Sequence, residues 1–351
     1  MMSQAKTPMN FASDNTVGAS PTILEAICTA NDGATMPYGN DEMTNRVEAR
    51  IQEIFETDAA VFLVATGSAA NSLALSVMTE PHGGVLCHWK SHIYEDECGA
   101  PEFFTNGAKL IPVSGAAGKL DLDDLTAKAK YGRGDVHMVQ PSVVGITQVT
   151  EIGTVYSLDE IDTISRIAHA NEMTVHMDGA RFANALVGLG CTPAEMTWKA
   201  GVDALSFGAT KNGALAAEAV VFFDRELARQ FAFRRKRGGH LFSKMRFLAA
   251  QMEAYLNDDL WLANAGHANA MAKRLADGLA AVPGITLSES VDANMVFPRL
   301  SPGVIDGLHG DGFLFYDDRW DAGVVRLVTS FETTAQSVDA LIAAAGRHAP
   351  G

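Results

Sequence analysis

The sequence has little cysteine and little positive charge. Its four cysteines form no Cys-x-x-Cys pair, and no secretory context is visible. Reduced, buried thiols in a cytoplasmic protein are therefore expected at Cys28, Cys87, Cys98 and Cys191. With 27 Lys and Arg against 42 Asp and Glu, the formal net charge is −15. Repulsion at long range argues against nucleic acid or an anionic membrane as a partner.

Several other signals are missing as well. No apolar run reaches the ~18 residues that a membrane span requires, and Met1 to Phe11 lacks the apolar centre of a signal peptide. Neither a Walker loop nor a dinucleotide fingerprint is present. Cys87, His88 and His92 have no second tight pair of ligands beside them, so no metal site is expected.

Between residues 60 and 223, short apolar runs alternate with helical patterns. Strands are predicted at Ala60–Val64, Val85–Cys87, Lys109–Val113, His137–Val143, Thr174–Met177, Ala204–Gly208 and Glu218–Phe223. Such alternation is typical of an α/β fold whose mostly parallel sheet carries helices on both faces. Beyond Asp224 come long helical patterns and then mixed segments. We expect an N-terminal segment (1–15), a large α/β domain (16–250) and a small α+β domain (251–351).

Two of the predicted strands end in residues that suit one chemistry. Asp178 and Arg181 follow one strand, and Lys211 follows the next. Ligands of open α/β sheets bind outside the carboxyl ends of the strands. A lysine among cations or apolar walls has a lowered pKa and can form a Schiff base. A pyridine cofactor that acts as an electron sink needs such a lysine and an acid on its ring nitrogen. Asp178 would be that acid, and Arg181 could donate to the ring's phenolic oxygen; the alternative is an ordinary turn and a solvent-facing lysine.

Three further places have both a functional and a structural interpretation. Gly67 and Ser68 open a helix whose first N–H groups could bind a phosphate, although Ser68 could equally be a plain N-cap. His92 could stack on a planar ring or move protons, or it could be a surface histidine. Arg326 lies in an apolar strand and could bind a carboxylate, or it could form a structural ion pair.

These residues together resemble the low-specificity L-threonine aldolase family, within the fold-type-I enzymes that use pyridoxal 5′-phosphate. The resemblance runs from Ser13 to Thr329, and four stretches carry most of it: Val175–Ala185, Thr210-Lys211, Ser91–Tyr94 and Arg326–Thr329. The family's Ser-Gly-Thr is matched by Thr66-Gly67-Ser68. Its tyrosine-glycine pair is matched by Tyr38-Gly39.

The resemblance implies a role for each matched position. Lys211 would carry pyridoxal 5′-phosphate covalently, and Asp178 and Arg181 would contact the ring nitrogen and ring oxygen. The remaining roles are ring stacking by His92, phosphate binding by Gly67 and Ser68, and substrate carboxylate binding by Ser13 and Arg326. Tyr38 would reach the site from a neighbouring subunit, which implies a dimer or tetramer with shared sites.

The implied enzyme is a carbon–carbon lyase of the aldehyde-lyase type. It would cleave L-threonine, L-allo-threonine or a related β-hydroxy-α-amino acid such as phenylserine to glycine and an aldehyde. The base for the β-hydroxyl proton would be His92 or a bound water. The alternatives are a β-eliminating lyase, an aminotransferase, or a pyridoxal-binding protein without catalysis.

The sequence also departs from the family. Many members have Asn-Thr-His after the middle strand, and we compare it with Gln140-Pro141-Ser142-Val143, which lacks the histidine that approaches the substrate side chain. Gln148-Val149-Thr150-Glu151 follows. Thr210-Lys211-Asn212 replaces the common Ser-Lys-Gly. These differences concern the side-chain pocket rather than the cofactor.

Overall fold

The computed structural model describes residues 9–349, so residues 1–8 of the expected N-terminal segment lie outside the described part. The strands are β1 (Met9–Asn10), β2 (Ala60–Val64), β3 (Gly83–His88), β4 (Lys109–Val113), β5 (Gln140–Thr147), β6 (Thr174–Gly179), β7 (Ala204–Gly208), β8 (Glu218–Phe222), β9 (Thr286–Leu287), β10 (Met295–Val296), β11 (Pro298–Arg299), β12 (Phe313–Leu314) and β13 (Leu327–Val328).

The helices are α1 (Pro21–Ala30), α2 (Glu42–Ile54), α3 (Gly67–Met78), α4 (His92–Glu95), α5 (Ala100–Phe104), α6 (Leu122–Lys130), α7 (Leu158–Ala170), α8 (Phe182–Leu189), α9 (Phe231–Arg237), α10 (Arg246–Leu256), α11 (Leu260–Ala280), α12 (Pro302–Gly310) and α13 (Ala335–His348). None of the described helices is both long and apolar enough to span a bilayer.

Strands β2 to β8 form one seven-stranded sheet in the order β2-β8-β7-β6-β5-β3-β4. All neighbours pair in parallel except β8, which runs antiparallel to both β2 and β7. Every residue of β7 and β8 is buried, as expected for a sheet covered on both faces. The predicted α/β fold with a mostly parallel sheet is therefore confirmed.

Some predicted boundaries are wrong, and local chemistry explains why. The strand expected at His137–Val143 begins only at Gln140, because Asp135 turns the chain by accepting the backbone N–H of His137. The long helical patterns expected beyond Asp224 are interrupted between α10 and α11. Asp258 and Asp259 have φ values of 50° and 53° there, which an α-helix cannot accommodate.

The cysteines are less buried than expected. Cys87 is buried in β3, where burial raises its thiol pKa to about 11, whereas Cys28 and Cys98 are exposed and Cys191 is half-buried. All four are unpaired thiols. The expectation of uniformly buried thiols is therefore wrong for two of them.

The core consists chiefly of apolar side chains between the sheet and its helices. One cluster joins strands β6 and β7 to α2, α8 and α10. Another contains Phe11 and apolar residues of α11, α12 and α13. A capping box formed by Ser157 and Glu160 fixes the start of α7. These contacts place the carboxyl ends of β5, β6 and β7 side by side beside the start of α3.

Replacement of Gly208 by alanine tests how closely two of these strand ends must approach. Gly208 ends β7, and a Cβ there would lie 2.6 Å from the carbonyl oxygen of Ala180 and 2.8 Å from its Cα. Backbone atoms cannot rotate aside, so Gly208→Ala should lower the unfolding free energy by about 1–3 kcal/mol in urea titration. Gly346→Ala, at an exposed position of α13, is the control, since its Cβ would meet no atom within 4 Å. Equal unfolding midpoints for the two variants would contradict the proposed close packing.

Candidate active site

A cavity of about 260 Å³ opens at the carboxyl ends of the central strands. Five of the predicted site residues line it: Gly67, Ser68, His92, Asp178 and Lys211. They come from four separate segments of the chain, namely α3, α4, β6 and the turn after β7. The fold therefore gathers the residues that the sequence predicted for one cofactor.

The start of α3 provides a site for an anion. Thr66 is the N-cap, because its side chain accepts the backbone N–H of Ala69 at 3.2 Å. Ser68 is thus not the N-cap that the structural interpretation allowed. A Cβ added to Gly67 would meet no atom within 4 Å, so open space lies over the helix start. The unpaired N–H groups of this first turn are suited to a phosphate.

Asp178 belongs to a buried network of polar side chains. Its Oδ1 accepts the backbone N–H of Ala180 at 3.0 Å, and its Oδ2 accepts the side-chain amide of Asn71 at 2.8 Å. The same amide donates to Glu97 Oε1 at 2.9 Å, and Glu97 Oε1 lies 2.8 Å from His92 Nδ1. The sequence did not predict Asn71 or Glu97: the partners of Asn71 are 26 and 107 residues away, and Glu97 lies five residues from His92 in a segment without a recognisable pattern.

The network sets the charge of His92. The hydrogen bond with Glu97 raises the pKa of His92 above its ordinary value, so the ring is protonated over a wider pH range. One ligand atom each from His92, Glu97 and Asp178 lies within 4.8 Å of the others, a spacing that a metal ion could use. This is a different group from Cys87, His88 and His92: His88 Nε2 lies 3.2 Å from the carbonyl oxygen of Gly115, and His92 is bonded to Glu97.

Lys211 lies in a short 3-10 turn, Thr210–Asn212, and its side chain lines the cavity. The sequence predicted cations or apolar walls around this amine. The carboxylates that share the cavity with it are Glu151, Asp178 and Glu218. Burial raises the pKa of Glu218 to about 7, while its Oε2 accepts the backbone N–H of Ala209 at 2.8 Å.

Arg181 is buried next to the cavity and forms a two-pronged ion pair with Asp14. Its Nε and Nη2 donate to the two Asp14 oxygens at 2.7 and 3.0 Å. Asn294 also donates to Asp14, at 3.1 Å. Burial alone would raise the pKa of Asp14, but the charges of Arg181 and Lys211 hold it below its ordinary value. The pair leaves Nη1 of Arg181 for a further contact.

Arg326 lines a second cavity, of about 190 Å³, which shares the residue Glu151 with the first. Its guanidinium lies 5.3 Å from the ring centroids of both Tyr316 and Trp320, and its Nη2 donates to Ala12 O at 3.3 Å. Its buried Nε has no hydrogen-bond partner among the described residues. The structural ion pair considered for Arg326 does not form in the part of the chain that the structure describes.

Ser13 and Tyr38 line neither cavity. The Ser13 hydroxyl accepts the backbone N–H of Asn15 at 3.1 Å and caps a 3-10 turn, Asp14–Thr16. Its neighbour Asn15 does reach the cavity. Tyr38 is 43% exposed, with a φ of 62°, and its ring lies 4.8 Å from the Lys236 ammonium.

The end of β5 corrects one comparison with the family. Thr147 pairs with Asp178, and Val143 pairs with Thr174 near the opposite end of β6. Gln140 to Val143 therefore lie away from the cavity, and the segment that faces it is Gln148 to Glu151. The family's Asn-Thr-His was compared above with Gln140–Val143, which lie at the start of β5, whereas the cavity lies at its carboxyl end. Glu151 is the residue of this segment that reaches the cavity.

Similarity to known proteins agrees with this geometry. The family model for beta-eliminating lyases matches residues 10–301. A low specificity L-threonine aldolase from Pseudomonas aeruginosa is 46% identical over 331 residues, covering 93% of this chain and 94% of that protein. Another from a Pseudomonas species is 44% identical, covering 95% and 96%.

A solved structure of a threonine aldolase from Leishmania major is also similar. It has a TM-score of 0.91 and 30% sequence identity, and the match covers 97% of this chain and 99% of that one. The chain therefore belongs to the beta-eliminating lyase family, and within it to the low specificity L-threonine aldolases.

Proposed function

We propose that this protein is a pyridoxal 5′-phosphate-dependent aldolase that cleaves L-threonine, L-allo-threonine or a related β-hydroxy-α-amino acid to glycine and an aldehyde. The observation that carries the proposal is one cavity that contains Lys211, Asp178 and the start of α3, with Arg326 in the adjoining cavity. The printed function of the similar Pseudomonas proteins supports the same reaction.

The residues of the cavity fit the cofactor of this family. Lys211 supplies the amine that holds it, and the open space over Gly67 and Ser68 suits its phosphate. Asp178, already fixed by Asn71 and Ala180, is placed to pair with the ring nitrogen. When bound, the cofactor supplies a protonated ring that withdraws electrons from the bond that breaks.

The chain's own groups orient the substrate. Arg326 binds the α-carboxylate, since its charge is held between two aromatic rings without an acidic partner. Ser13 is a further contact for the carboxylate. Its hydroxyl is bonded to the backbone of Asn15, which lines the cavity. His92, tied to Glu97 and protonated over a wider pH range, stacks on the cofactor ring. Nη1 of Arg181 contacts the ring oxygen.

We further propose a cytoplasmic homo-oligomer, a dimer or tetramer, with sites shared between subunits. Tyr38 would complete the site of a neighbour, which its exposure supports. Two large apolar side chains near Tyr38 are also exposed, Met36 by 64% and Phe242 by 41%. Phe242 is near because the Tyr38 N–H donates to the carbonyl oxygen of its neighbour Ser243. Four unpaired cysteines are compatible with a reducing compartment.

A substrate panel tests the proposed reaction against its rivals on the same scaffold. With L-threonine, L-allo-threonine and phenylserine isomers, the aldolase should release equal amounts of glycine and aldehyde, measured by aldehyde reduction and amino-acid chromatography. Ammonia with a keto acid would instead assign a β-eliminating lyase. Loss of activity in the absence of added keto acid would assign an aminotransferase. Cofactor binding without turnover of any of these substrates would favour a non-catalytic protein.

Lys211→Ala should abolish the covalent attachment of pyridoxal 5′-phosphate. The visible absorbance of the loaded protein should disappear, and borohydride treatment should leave no labelled peptide around residue 211. Lys199→Ala is the control, because Lys199 pairs with Glu56 at the surface, away from both cavities. A labelled Lys211→Ala protein would show that another lysine holds the cofactor.

Gly67→Ala should weaken cofactor binding without weakening the fold. The added methyl meets no protein atom but occupies the space proposed for the phosphate. The dissociation constant for pyridoxal 5′-phosphate, measured by fluorescence titration, should rise at least tenfold, or about 1.4 kcal/mol. Gly303→Ala, also in the first turn of a helix with open space around it, should leave that constant unchanged. An unchanged constant in both variants would remove the phosphate from the start of α3.

A further inference from the structure

Glu151 occupies the boundary between the two cavities. It lines both the cavity of Lys211 and the cavity of Arg326. A substrate whose amine reaches the first cavity and whose carboxylate reaches Arg326 must therefore pass next to this carboxylate. No role for Glu151 was predicted from the sequence, because the family's Asn-Thr-His was compared with the start of β5 rather than with the residues that follow its carboxyl end.

The backbone around Glu151 is held firmly. The Thr150 N–H donates to Thr154 O at 2.9 Å, and the two threonine hydroxyls lie 2.8 Å apart. The buried Gln148 N–H donates to Asp178 O at 2.8 Å, and the Gln148 side chain makes two 2.9 Å hydrogen bonds with the backbone of Tyr156. The turn thus fixes Glu151 relative to Asp178, whose role is to hold the cofactor.

The Glu151 carboxylate has no hydrogen-bond or ion-pair partner among the described residues, although it is half-buried. Burial raises the pKa of Glu151 above its ordinary value, against the opposing effect of Lys211, His92 and Arg181. Charged groups from several elements face it: His92 from α4, Asp178 from β6, Arg181 before α8, Lys211 after β7 and Arg326 before β13. The second cavity is lined in addition by Lys90, Glu95, Asp96 and Arg319. A raised pKa makes an ionised carboxylate a better proton acceptor.

Other groups near the cavity are less suitable as bases. His92 is protonated over a wider pH range, and its Nδ1 is bonded to Glu97. Both oxygens of Asp178 already accept hydrogen bonds. Glu218 is more buried, bonds to Ala209 and reaches only the first cavity. Neither of the earlier candidates, His92 or a bound water, is needed to account for the base.

The geometry points to Glu151 as the catalytic base that takes the β-hydroxyl proton of the substrate, an inference that rests on the proposed aldolase function. The O–H bond breaks and its proton moves to a Glu151 oxygen, while the freed electron pair forms the C=O bond of the aldehyde. The Cα–Cβ bond breaks and leaves its electron pair on Cα, where the electron-withdrawing ring of the bound cofactor would stabilise it. The proton held by Glu151 balances the proton that Cα gains as glycine forms.

Glu151→Gln tests this assignment, because the amide keeps the shape and loses the basicity. We expect kcat/KM for cleavage to fall about 10²–10⁴-fold, the usual contribution of a general base. The acid-side limb of the wild-type pH profile should also disappear. Glu151→Asp should recover part of the rate. Glu289→Gln, a half-buried glutamate whose pKa burial also raises, is the matched control and should behave as wild type.

Two readouts that need no β-hydroxyl separate this role from others. Glu151→Gln should bind pyridoxal 5′-phosphate as tightly as wild type, by fluorescence titration. It should also exchange the α-proton of glycine in deuterium oxide at the wild-type rate, by NMR. Loss of glycine exchange together with cleavage, or wild-type cleavage with an unchanged pH profile, would overturn the assignment to Glu151 alone. A wild-type enzyme that exchanges glycine but releases no aldehyde would overturn the aldolase function, and with it this base.

Discussion

The ion pair between Asp14 and Arg181 is the contact on which the arrangement of the site depends. It joins the beginning of the chain to the end of β6, 167 residues away, with both side chains almost fully buried. Asn294 attaches a third segment to the same carboxylate. Removal of one partner from such a buried pair costs about 3–5 kcal/mol, because the other charge is left without compensation. The pair also carries Asn15 into the cavity, so the start of the chain becomes part of the site.

The cavity is rich in acids, and each acid has a different environment. Asp178 is fixed by two donors, Glu97 holds a histidine, and Glu218 is buried with a pKa of about 7. Glu151 is the acid in this part of the site that has no partner among the described residues. Groups of the same type thus acquire different proton affinities from their surroundings, which is how one site separates its acids from its bases. The proposed anion site at the start of α3 would be supplied by backbone N–H groups.

The sequence predicted the parts of the site whose signal is local. Lys211 and Asp178 follow strands, and Gly67 opens a helix, so strand and turn patterns suffice to place them at one edge of a parallel sheet. Asn71 and Asp14 could not be found in this way, because the partners that define their roles, Asp178 and Arg181, are brought close only by the tertiary fold. The break between α10 and α11 was missed although Asn257, Asp258 and Asp259 are polar. The predicted domain boundary at residue 250 lies inside α10 and stays a prediction.

Two arginines of the site, the buried Arg181 and the half-buried Arg326, are compensated in opposite ways, and the difference has a consequence for binding. Arg181 is neutralised by Asp14, and two of its nitrogens are occupied. Arg326 rests between Tyr316 and Trp320, which attract its charge without neutralising it. Burial lowers the pKa of Arg326, but a guanidinium stays charged at neutral pH, and its Nε lacks a partner. A buried donor without a partner is costly unless a ligand satisfies it, and a carboxylate would supply both the acceptor and the opposite charge. The aromatic pair therefore leaves Arg326 available for the carboxylate of the proposed substrate, while the ion pair with Asp14 fixes Arg181 beside the proposed cofactor site.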